Sequence, residues 1–346
     1  MKIKVADRIA QADAMSATRP TGKSAERFSE WHHFNFNDER NGLYGIFNLA
    51  LSGNLDDAEQ ARIGTSLIVC EPGTGWHGTM NMHSASDVKF RPGAVDLRIG
   101  ESAIRLRNGR YEITGVLKDR SVVLDATWTP DASAIRVDNI GGMINTFILP
   151  RLRVDGTIAV EGKSYRLRGA SGYHDHNWGN WDWGRDLGWD WGYILQPAGP
   201  NGKRPPVSIV FGQVTDATRV AAKSDLVLIV WFGGRCMQVF LDDAVEVETK
   251  GYLKGLDVPR VPGVMANLFP LGPKGIPREL HIRARDGDDR VEISMAVQRA
   301  MQFLIPHPRG VGSTTISELV GRYRVRGVIE GRALDFSYVG FAELAG

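Results

Sequence analysis

The chain has 346 residues, 42% hydrophobic and 24% charged, with a net charge of +2. This is the composition of a folded globular chain with enough apolar residues for two ordinary cores, not of a disordered one. The near-neutral balance gives no field to recruit nucleic acid or an anionic membrane, and no apolar run is long enough for a membrane-spanning helix.

Residues 1–26 are polar and aperiodic, and read as a mobile N-terminal arm. Met1-Lys2-Ile3-Lys4-Val5 lacks the apolar run of a signal peptide, so the cytoplasm is the expected location. The next segment, Phe28-Ser29-Glu30-Trp31-His32-His33-Phe34-Asn35-Phe36, reads as a strand. Alternation then sets Glu30, His32 and Phe34 on one face and Trp31, His33 and Asn35 on the other. Glu30 beside aromatic rings is a candidate acid, and Trp31 either contacts a ligand or closes a barrel floor. Cys70 and Cys236 lack metal-type spacing and are expected to be reduced and buried.

Short period-2 segments follow at Ile99 to Leu106, Arg110 to Val116, Val122 to Trp128, Thr157 to Val160 and Tyr165 to Leu167. Asn108-Gly109, Asp155-Gly156 and Glu161-Gly162 are the expected turns between them. The second half repeats the style, with strands expected at Val207 to Val214, Leu226 to Phe232, Met237 to Leu241, Leu280 to Arg285, Arg290 to Val297, Gly321 to Ile329 and Ala333 to Glu343. Many short strands and few helical stretches predict an all-β protein of two tandem barrels, over 27–180 and 181–346.

One window differs from the rest. Tyr173 to Tyr193 holds Trp178, Trp181, Trp183, Trp189 and Trp191, five of the nine tryptophans, together with His174, His176, Asp175, Asp182 and Asp190. Indoles interleaved with carboxylates and imidazoles suggest the wall of a polar-studded apolar cavity. On a strand, His174, His176 and Trp178 share one face, and Tyr173, Asp175 and Asn177 share the other.

Gly172-Tyr173-His174-Asp175-His176-Asn177-Trp178-Gly179 resembles the signature of the superfamily of carotenoid 1,2-hydratases, AttH-like attachment proteins and fungal lipocalin-like cyclases. Ser29-Glu30-Trp31 and Gly340-Phe341-Ala342-Glu343 are similar to its first and last blocks. The resemblance implies two lipocalin-like domains and chemistry without redox cofactors, with the positions matching His176 and Trp178 in the active site. The Tyr-x-Asp pair that the hydratases carry further on has no counterpart here, where Trp189-Asp190-Trp191-Gly192-Tyr193 stands instead.

The expected function is that of a cofactor-independent hydratase or cyclase acting on an apolar isoprenoid or polyene. Expected catalytic residues are His176, Asp175, Trp178, Asp190 and Glu30. Expected substrate contacts are Trp31, Tyr173, His174, Trp181, Trp183, Trp189 and Trp191. Neither a metal nor another cofactor is expected. Two alternatives stay open: a Diels-Alderase-type pericyclase that folds its substrate without proton transfer, and a non-catalytic carrier of an apolar ligand.

Overall fold

The computed structural model describes the whole chain except residues 7, 16–21, 58, 200–203, 220–221, 254–257, 269–274 and 307–312. It divides into two compact units, Met1–Trp181 and Asp182–Gly346. Each is built on one mainly antiparallel sheet curled round its own hydrophobic core. The protein is all-β, and no helix among the described residues is long and apolar enough to cross a membrane.

The first sheet has 13 strands. Its main path runs Gly75–His83, Arg62–Glu71, Leu43–Ser52, Phe28–Asp38, Lys163–Asn180, Ile144–Val160, Val122–Pro130, Arg110–Val116, Ser102–Arg107, Asp96–Ile99 and Val88–Phe90. Burial follows the alternation in the sequence. In Val122–Pro130, Val122, Leu124, Ala126 and Trp128 face the core while Asp125 and Thr127 face out. The second sheet has 10 strands and repeats the plan: Gly188–Gln196, its first strand, lies between Val207–Thr215 and the last strand, Arg332–Ala345. In both units the first long strand therefore pairs with the last.

Two expected turns form and one does not. Asn108 and Gly109 both take positive φ, 50° and 72°, as a two-residue hairpin turn requires. Glu161 and Gly162 do the same at 48° and 78°. Asp155-Gly156 instead lies inside the long strand Ile144–Val160, at a shift of register against Lys163–Asn180. Gly156 is needed there for close approach, since a Cβ would sit 2.3 Å from the Asp125 carbonyl oxygen. Asp155 accepts the Gly169 N–H at 3.0 Å across that irregularity. A pair that favours tight turns serves here as a bulge device.

The arm expected over residues 1–26 packs in part. Lys2–Ala6 forms an edge strand against Ala134–Ile140. After the short helix Ile9–Ala12, Met15 exchanges backbone hydrogen bonds with Ala94 (3.2 Å) and Gly93 (3.4 Å). That clasp puts the Asp13 and Met15 side chains into the first core, at 0% and 2% exposure. Both cysteines are free thiols; Cys70 is buried and Cys236 only partly so.

Candidate functional site

The ladder between Phe28–Asp38 and Lys163–Asn180 joins the two segments that stand out in the sequence. Its rungs pair Phe34 with His174, His32 with His176, and Glu30 with Trp178. All six side chains lie on the core face. Glu30, His32, His174 and His176 are buried at 0–3% exposure, and Trp178 is half-buried. Asp13 meets these rungs from the N-terminal segment.

Asp13 is the hub. Its Oδ2 accepts from the Tyr111 hydroxyl at 2.6 Å and from His174 Nε2 at 3.0 Å. Its Oδ1 lies 3.2 Å from His176 Nδ1 and 3.6 Å from His32 Nδ1. The far side of His176 meets Glu30, with Nε2 2.9 Å from Oε1. The far side of His174 donates from Nδ1 to the His33 carbonyl at 2.9 Å. A carbonyl and a carboxylate can only accept, so both nitrogens of His174 face acceptors. His176 lies between two carboxylates, bonded to Glu30 through Nε2 and 3.2 Å from Asp13 through Nδ1.

The electrostatics agree. Burial alone would disfavour the charge on Asp13, but its electrostatic and hydrogen-bond interactions with His174, His32 and His176 outweigh it and hold the carboxyl well below its usual range. Burial would likewise neutralise His176, yet its bonds to Asp13 and Glu30 prevail and raise it to about 9. For His32 the nearby Asp13 charge opposes the shift but does not outweigh it. Burial first, and then the neighbouring His176 charge, push it well below 6.5, so it is neutral. Its ring stacks on His176 at 3.9 Å, with Nε2 3.2 Å from the Met15 sulfur. Tyr111, pushed far above 10 by burial and by the Asp13 charge, remains a neutral donor. The cluster thus sets the His176 cation between two carboxyl groups.

Asp13, His32 and His176 present donor atoms within 4.8 Å of one another, a set that suits a divalent first-row metal. Two features favour the hydrogen-bonded role. The His32 and His176 rings are nearly parallel, 18° apart and face to face, so their in-plane lone pairs run side by side and do not converge. Asp13 already accepts from Tyr111 and His174, with His176 Nδ1 3.2 Å away.

His176 carries a stability prediction whose sign follows from its raised pKa. Its contribution is complete below pH 6.5 and is lost as pH rises towards 9, by roughly 3 kcal/mol in total. The groups facing it are Asp13, Glu30 and neutral His32. Urea unfolding of wild type and His176→Gln across this range should give two stability curves that converge with rising pH. Parallel curves would mean that His176 is not charged in the folded state.

The other expected site residues lie elsewhere. Asp175 and Tyr173 occupy the opposite face of the His174–His176 strand; Asp175 accepts from Asn177 Nδ2 at 2.5 Å. Trp31, on that same opposite face of its own strand, packs edge-on against Trp181 at 5.5 Å. Trp178 lies 4.8 Å from His176, and the Arg136 guanidinium covers its ring at 4.7 Å. Trp183, Trp189, Trp191 and Asp190 belong to the second unit. There Trp183 packs on Trp189, the Trp189 indole N–H donates to Glu343 at 2.5 Å, and Trp191 lies against Tyr193. The Asp190 carboxylate is committed to Arg219, at 2.7 and 3.0 Å, and to Gln213 at 2.5 Å. The five tryptophans of the window are therefore shared between two units. Asp13 and Tyr111, central to the cluster, gave no signal in the sequence: one sits in a polar segment and the other is an ordinary core position of a strand.

No protein-family model and no curated protein sequence matches the chain. Solved structures do. An AttH-like protein of Nitrosomonas europaea superposes with a TM-score of 0.61 at 14% identity, over 92% of both chains. Kievitone hydratase of Nectria haematococca gives 0.57 at 11% identity, over 97% of both. CghA, in a structure with the compound Sch210972, gives 0.54 at 12% identity, over 99% of this chain and 97% of the other. The chain thus has the fold of the group that its Tyr173–Gly179 segment resembles.

Proposed function

We propose that the protein is a hydratase or cyclase of a small, largely apolar unsaturated molecule, and that His176 and Glu30 handle the proton. The observation that carries this reading is the His176 imidazolium, held between Asp13 and Glu30 one rung from the half-buried Trp178. Among the rungs of the cluster, only the Glu30–Trp178 rung has a partly exposed side chain, and there a substrate would lie against the indole. The fold shared with kievitone hydratase supports a hydratase or cyclase over a carrier.

In this mechanism the His176 imidazolium passes its Nε2 proton to the Glu30 carboxylate along their 2.9 Å hydrogen bond as Glu30 delivers a proton to one alkene carbon. The carbocation forms at the other carbon and is stabilised by the Trp178 face, by roughly 0.5–2 kcal/mol. Water adds and returns a proton to the pair, or an internal alkene closes a ring and a neighbouring C–H releases one. Asp13 fixes the His176 ring and keeps it charged, as a buried carboxylate does for a catalytic imidazole.

Turnover in heavy water tests the reading. The candidate substrates are apolar polyenes recovered from the producing cells, identified by mass spectrometry. One carbon-bound deuterium per product is expected from a hydratase, and from a cyclase that starts by protonation. A product without carbon-bound deuterium would remove Glu30 and His176 from the chemistry and promote the pericyclic alternative.

A further inference from the structure

The second unit has a cleft of its own, about 430 Å³ in volume, within the range that holds small organic ligands. It lies at one rim of the sheet, where Gly188–Gln196, Val207–Thr215, Ala222–Phe232 and Arg332–Ala345 begin or end. Its apolar wall is Val207, Phe232, Leu334 and Phe336, all members of the second hydrophobic core. Ligand contact there would continue the core rather than a polar surface. Arg204 and Arg332 also line it.

These two arginines set the ligand chemistry. Both are exposed, and neither forms an ion pair among the described residues. The Arg332 guanidinium lies 5.8 Å from the centre of the Phe232 ring, over the apolar wall. The acid in the cleft, Asp335, is paired away with Arg324. What remains is an apolar wall under two uncommitted guanidinium groups. A guanidinium presents parallel N–H donors that match a carboxylate. We propose that this cleft is a ligand site of the second unit, taking an apolar molecule that ends in a carboxylate. The site uses none of the residues assigned to proton chemistry, so it goes beyond the proposed activity.

The test is binding, with no turnover required. cis-Parinaric acid, an apolar carboxylate fluorescent when bound, is titrated into the full chain, with its methyl ester as the uncharged control and decanoate as competitor. The acid should bind in the micromolar range, be displaced by decanoate, and bind at least tenfold more tightly than the ester. Arg332→Glu and Arg204→Glu should each weaken the acid about tenfold and leave the ester unchanged. Arg166→Glu, an exposed arginine of the first unit, should have no effect. No binding, equal affinity for acid and ester, or indifference to both cleft substitutions would overturn the proposal. Circular dichroism of each variant checks that its fold is kept.

Discussion

Asp13→Ala is expected to destabilise the first unit by about 3–5 kcal/mol, the usual cost of removing one partner from a buried charge pair. Its carboxylate is fully buried and receives Tyr111 and His174, with His176 Nδ1 3.2 Å away. Without it Tyr111 and His174 lose their acceptor and His176 a neighbouring negative charge in a buried core, where an unpaired group bears its full desolvation cost. Against a typical domain stability of about 5–15 kcal/mol, that loss leaves the unit marginal. Asp13→Asn keeps the size and one acceptor oxygen but not the charge, and should fall between wild type and Ala. Asp138→Ala, which removes a part-exposed partner of Arg136, should cost about 1 kcal/mol or less. Urea denaturation of the three variants measures this. A loss for Asp13→Ala no larger than that for Asp138→Ala would mean that the N-terminal segment does not seat its carboxylate among the histidines.

Glu30→Gln is expected to lower kcat by about 10²–10⁴, the usual worth of a positioned acid or base, with a smaller loss of stability than Asp13→Ala. Gln keeps an acceptor for His176 Nε2–H at the position of Oε1, so the rung with Trp178 should stand. What it cannot do is carry the proton. Trp178→Phe should keep an aromatic face and cost less than tenfold, whereas Trp178→Leu removes the face and should cost more. Asp190→Asn is the informative contrast. Asp190 sits among tryptophans in the sequence, but its carboxylate is bound by Arg219 and Gln213 in the second unit. Its loss should therefore lower the stability of that unit and leave the rate per folded molecule intact. Full activity of Glu30→Gln on a substrate that incorporates deuterium would move the acid elsewhere. A rate collapse in Asp190→Asn at unchanged stability would move it to Asp190.

Polarity patterning along the chain specifies the class of fold and the faces of its strands. Val122 to Trp128 alternates in burial as its side chains alternate in polarity, because a strand turns every second side chain to the same side. For the same reason His174, His176 and Trp178 share a face, and so do Glu30, His32 and Phe34. The hairpin at Asn108-Gly109 was also legible, since few residue pairs accept two positive φ angles in succession. That these two faces form one site follows from long-range strand pairing. Glu30 and His176 are 146 residues apart and become neighbours because the first unit pairs its first long strand with its last, a long-range choice made by core packing. Asp13 could not be read at all: a lone Asp in a polar stretch looks solvated until a clasp to Gly93 and Ala94 carries it inward. The tryptophan-rich window looked like one wall because its residues are adjacent in the chain. The structure divides it at Trp181, since neighbours in sequence need not share a core once the chain passes from one sheet to the next.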